Sequence, residues 1–208
     1  MATTITPSSP PPQRVLVLNA TGKTGRNVCR ALRGAGFDVY GTTRSTANAS
    51  LTAAGITPVT ANYTVRADLD RAFAESGAKK AFILTDFFRA AGGSVAREVE
   101  QGKAAIDAAH AAGVDHLIFM SVADAECFDD QAHHLKAKVA LEAYLRSQAG
   151  LPFSIVRPCA FFENFDDPAN WNPLRKGVVK FMTLQECKYC STSDIGRAAA
   201  TMFSDPAI

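Results

Sequence analysis

Lys138 falls on a helical pattern running from about Ala132 to Gln148, where a lysine can bind ribose hydroxyls or lower the pKa of a neighbouring phenol. A lysine that activates a phenol on the same helical face needs a tyrosine four residues earlier. That position is His134, and the residue four before Lys136 is Ala132. Tyr144 follows the lysines on the same helix and reads as a packing residue. His134 can donate a proton near neutral pH, although His133-His134 also suits a solvent-facing helix start. Lys138 and Glu142 have the spacing of an i,i+4 surface pair, worth only a few tenths of a kcal/mol. His134 and Lys138 are therefore the weak catalytic candidates.

A second chemical stretch lies near the start. Val15-Leu16-Val17-Leu18 has the continuous apolar character of a strand buried on both faces. Asn19-Ala20-Thr21-Gly22-Lys23-Thr24-Gly25 follows, then a helical pattern through Val28 and Leu32. Strand, tight turn and helix together present backbone N–H groups and a positive helix end to a phosphate. Asn19-x-x-Gly22-x-x-Gly25 is a variant of the dinucleotide fingerprint. Gly22 admits the pyrophosphate and Gly25 lets helix and sheet approach. Asn19 replaces the first glycine, and asparagine tolerates the left-handed backbone such a turn needs.

The second predicted strand, Phe37 to Arg44, ends where an adenosine ribose would lie. An acid there would suit the 2′-hydroxyl of NAD. Arg44 instead suits a 2′-phosphate through charge and paired N–H donors, so NADP(H) is favoured over NAD(H). The fourth strand, Ala81 to Asp86, leads into Thr85-Asp86-Phe87-Phe88 on the ligand side of such a sheet. Its two aromatics can flank a flat ring or anchor the loop.

The elements that position these residues alternate strand and helix. Further strands are predicted at Thr57–Ala61, His116–Val122 and Phe153–Pro158. Helices are predicted at Leu51–Ala54, from Asp68 onward, at Val95–Ala112 and from Ser193 onward. Asp68 or a neighbour, and Ser193, are the proposed caps. Five or six βα repeats imply an α/β fold, a Rossmann-type doubly wound parallel sheet with helices on both faces.

A net charge of +2 over 208 residues argues against a nucleic-acid or membrane surface. No apolar run is long enough to span a bilayer. Residues 1–13 hold Pro7 and Pro10-Pro11-Pro12 among Ser and Thr. They read as a disordered tail ahead of one domain over 14–208. Five cysteines without framework spacing fit a reducing, cytoplasmic setting. Cys187-x-x-Cys190 lacks a second ligand pair, so no metal site is expected.

Four stretches together resemble the NmrA-like family of atypical short-chain dehydrogenase/reductases. They are Asn19 to Gly25, Phe82 to Phe88, Arg157-Pro158-Cys159-Ala160-Phe161-Phe162-Glu163-Asn164-Phe165, and Asp194-Ile195-Gly196-Arg197-Ala198. The pattern is most similar to the branch of NADP-binding redox sensors. The resemblance implies that Thr21, Gly22, Lys23, Thr24 and Gly25 hold the pyrophosphate, with Asn19 and Ala20 forming the turn. It implies that Arg44 holds the 2′-phosphate and that Thr85, Asp86 and Phe87 line the nicotinamide side. Lys138 would meet the nicotinamide ribose. Phe161, Phe162, Glu163 and Asn164 would close over the nicotinamide end. Ser121 matches the position where short-chain dehydrogenases carry a serine. Asn19 departs from the usual family glycine, and the sequence stops at Ile208 where relatives continue, so a truncated or minimal substrate-side lobe is expected. Two functions follow: a redox or cofactor sensor with a regulatory protein partner, or an NADPH-dependent reductase of a quinone or small carbonyl.

Overall fold

Successive residues of a strand point to opposite faces, and here both faces are covered. Val15 and Val17 join one core with Val28, Cys29, Leu32, Val39, Phe82, Ile118 and Phe203. Leu16 and Leu18 join another with Leu69, Ile83, Ile106, Phe119 and Leu141. The computed structural model describes residues 11–45, 48–125, 133–167, 172–173, 177 and 188–205. The tail expected over 1–13 lies mostly outside them. Gln13 already accepts a hydrogen bond at its carbonyl from the Asp38 N–H, at 3.0 Å.

The main sheet comprises β1 (Arg14–Val17), β2 (Asp38–Thr43), β3 (Thr57–Thr60), β4 (Lys80–Ile83), β5 (His116–Met120) and β6 (Phe153–Val156). Its order is β3-β2-β1-β4-β5-β6, and every neighbouring pair is parallel. This is the doubly wound arrangement. The order reverses between β1 and β4, which opens a crevice at the carboxyl ends of those strands. One face carries α3 (Arg66–Ser76), α4 (Val95–Ala111) and α5 (His133–Arg146). The other carries α1 (Lys23–Gly34), α2 (Ala49–Ala53) and α6 (Thr192–Ser204).

Two helix starts differ from the sequence expectation. Asp68 lies inside the first turn of α3, where its carboxylate accepts the Asn62 N–H at 2.8 Å. Ser191, not Ser193, caps α6. The Ser191 hydroxyl accepts the Ser193 N–H, and the Asp194 carboxylate accepts the Ser191 N–H at 3.0 Å. That reciprocal capping box outcompetes a single hydroxyl cap two residues later. Two short ladders also lie outside the βα rhythm. β7 (Ala160–Phe161) pairs in parallel with β10 (Tyr189–Cys190), and β8 (Asp166–Asp167) pairs antiparallel with β9 (Asn172–Pro173).

α6 packs closely on α1. A Cβ at Gly196 would stand 2.6 Å from the Asn27 carbonyl oxygen, which is helix backbone and cannot swing aside. Beside it, the Asn27 amide donates to the Thr192 hydroxyl at 2.7 Å. The substitution Gly196→Ala is expected to force the helices apart and cost about 1–3 kcal/mol, as overpacking does. A lowered midpoint in thermal or urea unfolding checks this; an unchanged midpoint would show that α6 docks without close backbone approach.

Candidate functional site

The turn after β1 is built around one carbonyl. Asn19 has a left-handed backbone, φ 52°, as its type allows. Its N–H donates to the Thr42 hydroxyl on β2 at 2.9 Å. Its carbonyl accepts the Gly22 N–H at 3.0 Å. A Cβ on Gly25 would stand only 2.2 Å from that same oxygen, so glycine is required there for packing. The next strand makes room as well: a Cβ on Gly41 would stand 2.6 Å from the Ala20 methyl. Sequence reasoning gave Gly41 no role. α1 then begins on Gly22 with no side-chain cap and no acid in its first turn. Its positive end faces the crevice unshielded by any carboxylate of its own. Thr21 is exposed, while Lys23 is half-buried and donates from Nζ to the Glu163 carbonyl at 3.3 Å. Thr24 is buried.

Arg44 follows β2 and is exposed. Tyr63, beyond β3, shares its electrostatic neighbourhood. Burial, then the charges of Asp86 and Glu98, push the Tyr63 phenol upward against the opposing pull of Arg44. Tyr63 was not singled out from sequence, because a lone tyrosine in a polar loop carries no spacing signal.

At the end of β4, Thr85 is buried and Asp86 turns the chain by accepting the Arg89 N–H at 3.0 Å. Phe87 and Phe88 meet edge to face, with centroids 5.2 Å apart, and Phe88 is 62% exposed. Beneath them lies a polar cluster. Glu98 on α4 is fully buried, and its Oε1 accepts from Lys138 Nζ at 2.8 Å and from the Thr85 hydroxyl at 2.5 Å. Lys138 also donates to Thr85. Glu98 was missed from sequence, although it shares the buried face of α4 with Gly102, Ala105 and Ala109 at helical spacing. An acid on that stripe is the available signal.

The alternative of a Lys138–Glu142 surface pair is overturned. Lys138 turns to Glu98, and Glu142 is only 2% exposed. Glu142 accepts a two-point contact from Arg157, at 2.8 and 2.6 Å, and a third bond from Arg146 at 2.7 Å. Both carboxylates face inward because each finds a cation anchored on another turn or element. Burial alone would raise the Glu142 carboxyl, but the bonds from Arg157 and Arg146 more than offset it and hold the pKa at about 2. Ser121 is buried beside this carboxylate. Tyr144, read as packing, donates to Asp107 at 2.6 Å. His134 lies in α5, with its side chain outside the described residues.

The segment after β6 is latched at Glu163. Its Oε1 accepts from the Ser191 hydroxyl at 2.8 Å, the Thr192 hydroxyl at 2.7 Å and the Thr192 N–H at 2.9 Å. Burial would raise this carboxyl, but the bonds from Thr192 and Ser191 bring it below the ordinary value. Phe161 packs on the α1–α6 core, and Phe162 stands 56% exposed, stacked on Tyr189 at 5.7 Å. Asn164 closes the same 3-10 turn (Phe162–Asn164).

A doubly wound sheet with an open helix end at its switch point defines a Rossmann-type domain of the nucleotide-binding kind. A family model described as "NmrA-like family" matches residues 11–208, and the chain belongs to that family. Among solved structures it is similar to triphenylmethane reductase from Citrobacter sp., complexed with NADP(H). The TM-score is 0.75 at 21% identity, covering 92% of this chain and 66% of that one. It is also similar to an NADPH-dependent quinone oxidoreductase from Escherichia coli, complexed with NADPH. There the TM-score is 0.72 at 24% identity, covering 92% of this chain and 65% of the other. A UDP-glucose 4-epimerase from Thermotoga maritima has TM-score 0.72 at 18% identity, covering 90% of this chain and 72% of the epimerase. The chain thus spans about two-thirds of the length of the two reductases. No curated protein sequence matches it. Among the described residues no helix is long and apolar enough to cross a membrane.

Two predictions test the buried carboxylates. Lys138→Met strands the Glu98 charge and is expected to cost about 3 kcal/mol, whereas adding Glu98→Leu should restore part of it. Equal or additive losses in denaturant titrations would show that the two charges do not depend on each other. For Glu142 the folded pKa lies below the unfolded value, near 4.5, so its contribution is present above that value and lost as pH falls toward about 2. Glu142→Gln should therefore lower stability at pH 7 by about 2 kcal/mol and flatten the acid limb of the stability profile between those values. A parallel acid limb in both proteins would remove Glu142 as its source.

Proposed function

We propose that the chain binds NADP(H) across its switch-point crevice and works as a redox or cofactor sensor that signals to a protein partner. The observation that carries the cofactor reading is the pairing of an uncapped α1 N-terminus at Gly22 with the exposed Arg44 guanidinium after β2. The residues fit the group. Backbone N–H groups of the Thr21–Gly25 turn would hold the pyrophosphate, and Gly25 already brings the helix against the strand. Arg44 would meet the 2′-phosphate with full charge and paired donors. The reductase and oxidoreductase relatives complexed with NADP(H) and NADPH support the same choice.

Bound NADPH would supply a hydride. Around it, Thr85 and Lys138 would face the ribose from below, with Glu98 fixing both. Phe161, Phe162 and Asn164 would cover the nicotinamide end, and Asp86 and Phe87 would line its side. Position 134 is His rather than Tyr, so no phenol stands four residues before Lys138. A sensor needs only different affinities between its states, not a proton donor.

One observation favours a second reading, an NADPH-dependent reductase of a quinone or small carbonyl. Phe88 and Phe162 expose aromatic rings beside the crevice, where a flat apolar substrate could stack. A quinone could take its proton from water. A sensor leaves NADPH unconsumed when quinone is added; a reductase oxidises it. Five cysteines fit a reducing, cytoplasmic setting for either function.

Calorimetric titration with NADP(H) and NAD(H) tests the cofactor site. Arg44→Ala is expected to weaken NADP(H) about tenfold to a hundredfold, with NAD(H) little changed. Equal losses for both would remove the 2′-phosphate role from Arg44.

A further inference from the structure

Three described cysteines are reduced, and they differ sharply in setting. Cys29 is wholly buried under α1, and burial pushes its thiol up to about 12, so it is chemically quiet. Cys159 and Cys190 are half-buried and lie against each other. Cys159 precedes β7 and Cys190 ends β10. In the parallel ladder Tyr189 stands opposite Ala160, and Cys190 opposite Phe161. Cys159, Phe161 and Cys190 therefore share one face of that ladder. The Cys190 thiol turns back toward Cys159. It lies 3.9 Å from the Cys159 carbonyl oxygen.

We propose that Cys159 and Cys190 are a reversible redox pair that closes to a disulfide on reaction with a peroxide. The two residues are diagonal across the ladder, two positions out of register, so closure needs the backbone at Cys159, just before β7, to shift toward Cys190. β7 and β10 contribute two residues each and stand outside the six-stranded sheet, so that shift leaves the main ladder paired, although Phe161 and the Ser191 cap beside the two cysteines would move with it.

The order of events follows from the surroundings. Burial, then the neighbouring Cys159, raises the Cys190 thiol to about 11, which keeps it protonated. In the proposed sequence Cys159 attacks the peroxide and Cys190 resolves it. The Cys159 sulfur takes the terminal oxygen, the O–O bond breaks, and the thiol proton leaves with the other oxygen as water or an alcohol, giving a sulfenic acid. The Cys190 sulfur then attacks the Cys159 sulfur, the S–O bond breaks, and a second water leaves. Two thiols lose two electrons and two protons, and the peroxide accepts both.

The bond would staple the exit of β6 to the entry of α6. Cys190 adjoins Ser191, the cap that also donates to Glu163. Cys159 adjoins the Phe161–Asn164 turn. Oxidation would thus pin the segment that covers the nicotinamide end, a consequence that rests on the NADP(H) reading, whereas the disulfide itself does not.

The test uses the full chain, reduced, freed of reductant and treated with stoichiometric hydrogen peroxide. Remaining thiols are alkylated and unreduced digests are read by mass spectrometry. A Cys159–Cys190 linked peptide that dithiothreitol removes is expected in the wild type and in Cys187→Ser, and is absent in Cys159→Ser. A Cys187–Cys190 link, or Cys159 and Cys190 both still open to alkylation, would overturn the pair. Cys187→Ser keeps the first outcome distinct, since Cys187 lies outside the described residues. NADPH titration of oxidised and reduced protein reads the consequence: a change of about fivefold or more is expected in the wild type and none in Cys159→Ser. Unchanged affinity with the disulfide formed would overturn the pinning. Absence of NADPH binding in both forms would count against the dinucleotide reading and leave the thiol result standing.

Discussion

The close approach of Gly25 to the Asn19 carbonyl is the constraint on which the rest of the site depends. A helix can start so near the end of β1 only if the chain reverses within three residues. That reversal needs the left-handed backbone at Asn19. Asparagine takes it at modest cost, and its N–H is anchored to Thr42 on the neighbouring strand. The same crowding reaches β2, where Gly41 leaves room for the Ala20 methyl. Two strands and one helix are thereby fixed around a single oxygen. The axis of α1, and the direction in which its N–H groups point, follow from that packing. α6 then takes its place from α1 through a second close approach, Gly196 on the Asn27 carbonyl.

On the opposite face the sheet is organised by charge. Glu98 and Glu142 are both buried, and burying a carboxylate is costly unless it is paired and hydrogen-bonded. Each is answered by cations from elsewhere. Glu98 links α4 to Lys138 on α5 and to Thr85 after β4. Glu142 links α5 to Arg157 after β6. These pairs lie under the carboxyl ends of the strands, beside the crevice. Their value is in orientation: they hold Lys138 and Thr85 in one arrangement, where a solvated lysine would sample many.

How far the sequence could be read follows from which interactions are local. The strands and helices announce themselves by period and by turn residues, and the left-handed Asn19 follows from residue type alone. The doubly wound parallel sheet follows from βα alternation, while its strand order is read from the pairing. What spacing could not show are contacts between residues distant in the chain. Lys138 and Glu142 are neighbours on one helical face, so they read as a pair. Their true partners, Glu98 and Arg157, lie 40 and 15 residues away. Helix starts failed for a related reason. Ser193 is a sound cap by type, but Ser191 and Asp194 satisfy each other's backbone groups, and Glu163 adds a bond from 28 residues upstream.

The lip of the crevice is held differently from its floor. The floor rests on two apolar cores and on close-packed backbone. The segment from Cys159 to Phe165 is held by hydrogen bonds to Glu163, by Lys23 on its carbonyl, and by a ladder of two residues a side. Its residues are half-buried or exposed. Polar latches with little apolar burial belong to the low-stability end of a fold, where local opening is least costly. A ligand or a covalent bond that engages this lip shifts its population without touching the core. The same separation explains why this lip and the β10 strand paired with it can each carry a half-buried thiol, Cys159 and Cys190. In the close-packed floor, as Cys29 shows, a thiol is walled in and silent.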